Sequence, residues 1–204
     1  MARRSERGFT LLELVLALSI VAAMLTVLFG GLRVSLRAWQ KGDEKAEALQ
    51  HARSLTQLLE LSLGGIHPYM GPVGAAKQIT LLFEGQAEQI SFVTVAPPLP
   101  PGPSIAYTAV TLSVESGDAP GLAIREKALP NLDAFESVPP ALVDPSITAI
   151  KLRYLRDAGT WEEAWDGAQE RALPRAVEVT LTTVVNGRVQ EQRPLTVPIR
   201  ATAP

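Results

Sequence analysis

The spacing of hydrophobic residues differs between the N-terminal part of the chain, where it is helical, and the remainder, where it is typical of strands. Residues 14–32 carry no charge, and the wider stretch Phe9–Leu32 holds one charged residue, Glu13. At about 1.5 Å per residue, a helix over this stretch is about 36 Å long, enough to cross a hydrocarbon core of about 30 Å. The pattern therefore predicts a membrane-spanning helix close to the N-terminus.

Beyond this stretch, apolar residues recur every three or four positions, which is the helical period. The apolar stripe consists of Leu32, Leu36, Trp39, Ala46, Leu49, Ala52, Leu55, Leu59 and Leu63. Gly42-Asp43 interrupts it and is a candidate bend, and Gly64-Gly65 predicts the helix end. We therefore predict one helix over Phe9–Leu63, about 80 Å long. Its second half should pack on a sheet, and its first half on lipid or other subunits.

From residue 78 the hydrophobic period changes to two, which predicts strands. The predicted strands are Gln78–Phe83, Gln89–Ala96, Ala106–Glu115, Leu122–Ala128, Ile147–Arg156, Ala176–Val185 and Arg188–Val197. Asn186-Gly187 is a strong hairpin signal between the last two, and the proline-rich residues 97–103 predict an extended surface connector. The whole pattern predicts an α+β fold in which a long N-terminal α-helix packs on antiparallel β-sheet.

The composition of the chain excludes several classes of function. The chain has 204 residues, 47% of them hydrophobic, a net charge of −2, no cysteine and two histidines, His51 and His67. Without a basic excess we expect no nucleic-acid partner, and without cysteines no disulfide, cysteine zinc site or thiol catalysis. Known nucleotide-binding, hydrolase and zinc motifs do not occur. We therefore predict that the protein is not an enzyme and has neither cofactor nor metal.

One surface patch leaves three interpretations open. Trp161, Glu162, Glu163, Trp165 and Asp166 combine acidic and aromatic side chains. The patch is interpreted first as a solvated loop with packed tryptophans. Carboxylates also bind calcium, although this spacing fits no EF-hand loop, and tryptophans also anchor protein partners.

The flanks of the apolar stretch predict its orientation. Arg3, Arg4 and Arg7 precede it, and the positive-inside rule then places the N-terminus in the cytoplasm and the rest of the chain outside it. An unpaired carboxylate at the centre of a membrane costs about 2.5–3 kcal/mol or more, so Glu13 is a functional candidate. Its best partner is the free α-amino group of a neighbouring copy, formed by cutting the chain just before Phe9.

The sequence Arg7-Gly8-Phe9-Thr10-Leu11-Leu12-Glu13-Leu14 resembles the prepilin peptidase motif of type IV pilins and type II secretion pseudopilins. The resemblance implies cleavage between Gly8 and Phe9, N-methylation of Phe9 and an assembly role for Glu13. It divides the chain into a leader peptide (1–8), a transmembrane and assembly helix (9–32), an amphipathic continuation (33–66) and a β-rich periplasmic pseudopilin domain (67–204).

The β-rich half is similar to the J-type minor pseudopilins of type II secretion. The similar segments are Gly85 with Ile90–Thr94, Ala106-Tyr107, Gly121–Arg125, Leu152–Leu155 with Trp161 and Trp165, and Leu173–Val177. This resemblance implies a structural component of the pseudopilus tip that supports export of folded proteins across the outer membrane. The implied partners are the I-, K- and H-type minor pseudopilins, the major pseudopilin, prepilin peptidase and the bacterial inner membrane.

Two other functions remain open on sequence alone. The N-terminal motif serves equally well in a minor pilin of a type IV pilus or DNA-uptake machine. A periplasmic enzyme or binding protein that uses the helix only as a tether is the third hypothesis. It predicts that any apolar helix could replace the anchor without loss of function.

Overall fold

The computed structural model describes residues 10–73, 78–99, 105–117, 119–185 and 188–201. Contacts within the chain divide it into two units, Met1–His51 and Ala52–Pro204. Helix α1 (Leu11–Gly64) begins in the first unit and ends in the second. The long N-terminal helix predicted from the sequence is therefore present, and it continues without interruption through Gly42.

Strands and one short helix follow α1. They are β1 (Met70–Val73), β2 (Gln78–Leu81), β3 (Phe83–Gly85), β4 (Gln89–Thr94), β5 (Thr108–Glu115), β6 (Gly121–Ala128), β7 (Leu142–Asp144), β8 (Ile147–Leu155), β9 (Trp161–Glu162), β10 (Trp165–Asp166), α2 (Gly167–Glu170), β11 (Ala176–Val185), β12 (Arg188–Glu191) and β13 (Leu195–Pro198). The fold is α+β, as the change of hydrophobic period predicts.

The strands form antiparallel sheets. The first sheet has the order β10-β3-β4-β5-β6-β7, and the second has the order β12-β11-β8-β9, with β13 also paired to β11. Strands β1 and β2 form a separate two-stranded sheet. This arrangement confirms the prediction of antiparallel β-sheet beside a long helix.

The main core lies in the second unit, between the last turns of α1 and the two sheets. Leu59 and Leu63 of α1 are fully buried, and Leu55 nearly so. The sheet residues in the same cluster include Phe83, Ile90, Phe92, Val110, Leu112, Leu122, Ile124, Ile150, Leu152, Tyr154, Val177 and Val179. Because side chains alternate along a strand, every second side chain of the first sheet points away from this core. Val93 and Ala109 do so, and they form a smaller cluster with Leu82, Leu129 and Ala134.

Among the described side chains of the predicted apolar stripe, those at its C-terminal end are buried. Leu32, Leu36 and Trp39 are exposed, whereas Leu55 and Leu59 lie in the core. The same helical period therefore continues through two different environments.

The predicted strand Arg188–Val197 is two strands, β12 and β13. Both pair with β11: Val185 is opposite Arg188, and Ala176 is opposite Pro198. Pro194 lies between β12 and β13, and proline has no N–H to donate to a sheet. The predicted turn residues 186–187 lie outside the described residues.

Strand β8 contains a break in its side-chain alternation. Ile150, Leu152 and Tyr154 are buried as an alternating set, but Thr148 is exposed and Ile147 is buried. The pairing register with β11 shifts there, because Ala149 is opposite Thr182 and Ile147 is opposite Thr183. An extra residue in one strand is a β-bulge, and it reverses which side chains face the core.

Candidate functional site

The N-terminal turn of α1 contains the described part of the predicted processing and assembly motif. The backbone N–H of Glu13 lies 3.3 Å from Thr10 Oγ1 and 3.1 Å from the Thr10 carbonyl oxygen. Thr10 therefore caps the first turn, as threonine commonly does. The spacing Thr-x-x-Glu is also that of a capping box, a local signal that the sequence-based prediction of the helix start did not use.

Glu13 lies in the first turn of α1 and is exposed. A carboxylate is favourable there because the N-terminal end of a helix has a partial positive charge. Gly8 and Phe9, the predicted cleavage and methylation residues, lie outside the described residues. The structure therefore places Glu13 at the beginning of the helix, three residues after the threonine that caps it.

The segment that follows is apolar and exposed. Leu11–Trp39 is 29 residues long with a mean hydropathy of 2.6, and it is the one helical segment of the described chain that is long and apolar enough to cross a membrane. Its large exposed side chains are Leu11, Leu12, Leu14, Val15, Leu16, Leu18, Ile20, Val21, Met24, Leu25, Val27, Leu28, Phe29, Leu32, Leu36 and Trp39. An exposed apolar surface of this extent requires lipid or protein around it.

Two polar side chains within the span bond to the helix itself. The Ser19 hydroxyl donates to the Val15 carbonyl at 2.8 Å, and the Thr26 hydroxyl donates to the Ala22 carbonyl at 2.8 Å. Such bonds satisfy hydroxyl groups inside a lipid environment, where water is absent. Glu13 is the one charged residue between residues 8 and 32 of the sequence. An apolar environment around this segment would therefore disfavour its ionised carboxylate.

The acidic and aromatic patch predicted at residues 161–166 is occupied by structural contacts. Asp166 caps α2 and accepts hydrogen bonds from the backbone N–H groups of Ala168 and Gln169 at 2.8 and 3.2 Å. Trp165 is buried, and its indole N–H donates to the Ala172 carbonyl at 2.9 Å. The interpretation as a solvated loop is wrong for Trp161-Glu162 and Trp165-Asp166, which lie in β9 and β10, whereas the burial of Trp165 agrees with a packed tryptophan.

Arg156 connects the elements of this patch. Its guanidinium donates to both carboxylate oxygens of Glu170, at 2.9 and 2.6 Å, and to Glu162. The same group lies 5.0 Å from the ring centroid of Trp165. These hydrogen bonds lower the pKa of Glu170 and raise the pKa of Arg156, because each group stabilises the charged form of the other. The end of β8, strand β9 and helix α2 are held together by this contact.

The histidines lie in two separate settings. His51 is an exposed residue of α1. His67 follows the helix end; its backbone N–H donates to the Val93 carbonyl, and its ring stacks on Tyr107 at 4.8 Å between centroids. Within the described ranges, no group of three or more His, Asp and Glu side chains is arranged to hold a metal ion.

Together, the fold and the N-terminal helix define a class of protein: a pilin-like, membrane-anchored α+β protein. Residues 3–29 match the family model of the prokaryotic N-terminal methylation motif. Residues 30–192, about four fifths of the chain, match the family model of type II secretion system protein J. The chain therefore belongs to the type II secretion system protein J family.

Membership of this family establishes that the protein functions in the type II secretion system. The protein is a minor pseudopilin of type II secretion, a structural component that assembles with other pseudopilins. The apolar helix and the methylation motif indicate a single-pass membrane anchor. The family match also separates type II secretion from the pilus and DNA-uptake alternative, which the N-terminal motif left open.

Proposed function

We propose that prepilin peptidase cuts the chain between Gly8 and Phe9 and that the new N-terminal Phe9 is then methylated. The match to the methylation motif over residues 3–29 supports this processing, because that range includes both residues. Arg3, Arg4 and Arg7 lie before the apolar helix and favour a cytoplasmic N-terminus. The globular part then lies in the periplasm, on the other side of the bacterial inner membrane.

In this proposal each part of the chain has its own task. Residues 1–8 are the leader, residues 9–32 span the membrane and mediate assembly, residues 33–66 continue the helix into the globular domain, and residues 67–204 form that domain. The exposed apolar side chains up to Leu32 and the core positions Leu59 and Leu63 support this division.

Glu13 is proposed to pair with the N-terminal amine of a neighbouring pseudopilin. The observation that carries this proposal is that Glu13, in the first turn of α1, is the single charge between residues 8 and 32 of the sequence. Opposite charges attract more strongly in a low dielectric than in water, and an unpaired charge there is costly. The pair therefore favours helices packed side by side in one register.

The proposed partners are the I-, K- and H-type minor pseudopilins at the pseudopilus tip, together with the major pseudopilin. The match to a type II secretion component supports this assembly. The role is structural: the protein is proposed to catalyse no reaction, to need no cofactor or metal and to bind no nucleic acid. Its contribution to secretion is to help build the filament that drives folded proteins outward across the outer membrane.

Processing is tested by intact mass and N-terminal sequencing of the protein extracted from membranes, with and without prepilin peptidase. We expect a chain that begins at methylated Phe9, and only when the peptidase is present. An uncut chain, or a cut after residue 30, would contradict the processing and favour a helix that serves only as a tether.

Assembly is tested with Glu13→Ala in the full chain. We expect several-fold less copurification with partner pseudopilins, while the protein remains in the membrane fraction, because the loss of one charge leaves the apolar span intact. Ser19→Ala is the matched control, since the Ser19 hydroxyl bonds only to its own helix in the described structure. Normal copurification of Glu13→Ala would refute the pairing.

A further inference from the structure

The length of the apolar segment matches the thickness of a bilayer with its headgroups, and the length of its uncharged part matches the hydrocarbon core. At about 1.5 Å per residue, the 29 residues of Leu11–Trp39 extend about 43 Å, close to the 40–45 Å of a bilayer with its headgroups. The uncharged residues 14–32 extend about 28 Å, close to the hydrocarbon core of about 30 Å. Glu13 and Arg33 therefore flank an uncharged helical stretch about as long as the hydrocarbon core is thick.

Beyond the second edge, α1 presents two cations and an aromatic ring. Arg33 and Arg37 are exposed and four residues apart, so they are neighbours on one side of the helix. Trp39 is 72% exposed and follows Arg37 by two residues, which places it on a different side of the helix. All three residues lie within two helical turns, over about 9 Å of the helix axis.

This distribution around the helix distinguishes a lipid surface from a protein partner. A docked protein covers one side of a helix, whereas lipid headgroups surround it at one level. Cations and an aromatic ring on different sides of the helix, within about 9 Å along its axis, suit the second case. Arginine binds phosphate through paired N–H groups, and tryptophan is enriched at membrane interfaces.

We propose that Arg33 and Arg37 bind the phosphate groups of anionic phospholipids in the leaflet at the C-terminal end of the span, with Trp39 at the outer side of the headgroup layer. This inference rests on the membrane-anchor function proposed above. After removal of residues 1–8, the leader arginines are gone, and Arg33 and Arg37 are the arginines that flank the mature span. Headgroup contacts at this end then set the depth of the helix until it joins the filament.

The absence of cysteine from the chain makes site-specific spin labelling simple. The full chain is reconstituted in vesicles of phosphatidylcholine with phosphatidylglycerol. Nitroxide-labelled phosphatidylglycerol and phosphatidylcholine are compared by the fraction of each that the protein immobilises. The variants are Arg33→Gln/Arg37→Gln and the matched control Arg53→Gln, an exposed arginine further along α1. A separate Ala22→Cys chain carries a nitroxide at mid-span and reports whether the helix crosses the bilayer.

We expect the wild-type protein to immobilise phosphatidylglycerol in preference to phosphatidylcholine. The double variant should lose at least about half of this preference, because basic residues near the surface attract anionic lipid, whereas Arg53→Gln should retain it. Equal immobilisation of the two lipids by the wild type, or equal preference in all three proteins, overturns the lipid site alone. A mid-span label that is accessible to a water-soluble nickel chelate overturns the membrane anchor itself, and the lipid site with it.

Discussion

At the scale of single residues, Gly85 and Tyr154 form a contact that joins the two sheets. Gly85 lies in β3 of the first sheet, and the buried ring of Tyr154 comes from β8 of the second. A Cβ atom on residue 85 would overlap the Cζ atom of Tyr154. The Tyr154 hydroxyl donates to the Gln86 carbonyl at 3.0 Å, and burial raises the pKa of Tyr154. The ring therefore occupies the space that a side chain on residue 85 would need.

Gly85→Ala should destabilise the globular unit. The added methyl group must displace a fully buried ring held by a hydrogen bond, and overpacking of this kind costs about 1–3 kcal/mol. The measurement is urea unfolding of the full chain in detergent micelles, followed by tryptophan fluorescence.

Gly42→Ala is the matched control for this glycine substitution. A Cβ atom on residue 42 meets no atom within 4 Å, so we expect the urea midpoint of the globular unit to stay at the wild-type value. An equal shift for both variants would show that the Tyr154 contact is not the cause.

At the scale of elements, helix α1 combines two functions in one continuous hydrogen-bonded segment. Its described large apolar side chains up to Trp39 are exposed, as an anchor requires, and Leu55, Leu59 and Leu63 lie in the core of the second unit. The Thr94 hydroxyl also donates to the Ser62 carbonyl at 2.8 Å, which ties the last turns of the helix to β4. One helix therefore serves both as anchor and as part of the globular core.

Leu59→Ala and Leu36→Ala should separate these two functions. Leu59 is fully buried, and a leucine-to-alanine change in a core costs about 2–5 kcal/mol. Leu36 is 50% exposed, so its replacement should change the unfolding free energy by less than about 0.5 kcal/mol. Urea unfolding in micelles measures both, and a similar loss in the two variants would contradict the assignment of the core.

At the scale of the whole molecule, the core and the span lie in different units. The core clusters belong to Ala52–Pro204, and the exposed apolar residues up to Trp39 belong to Met1–His51. We therefore expect the globular unit to keep its core when the span is absent.

A chain that lacks residues 1–32 should fold alone, remain in solution without detergent and unfold in one cooperative transition. It retains the helix turns that carry Leu55, Leu59 and Leu63, and it loses most of the exposed apolar surface. The matched control lacks residues 1–64 and with them these three leucines, and it should lose cooperative unfolding. Circular dichroism during urea titration distinguishes the two chains, and an uncooperative titration of the first would contradict this division.

The sequence alone was sufficient for the features that depend on local pattern. The uncharged run predicts the span because lipid tolerates few charges over a fixed length, and the change of period separates helix from strands. The processing motif is linear, so its residues could be identified without a fold, although Gly8 and Phe9 themselves lie outside the described residues. The hairpin signal likewise lies between β11 and β12, two strands that do pair.

Tertiary structure alone decided which members of each pattern are buried and where strands break. Leu36 and Leu59 belong to one apolar stripe, yet only Leu59 meets the sheets. The bulge at Thr148 and the Gly85–Tyr154 contact depend on neighbours distant in sequence, whereas the division of residues 188–197 into β12 and β13 falls at Pro194. The physical reason is that hydrophobic spacing indicates which side chains tend to avoid water. Which element covers them depends on contacts between distant parts of the chain.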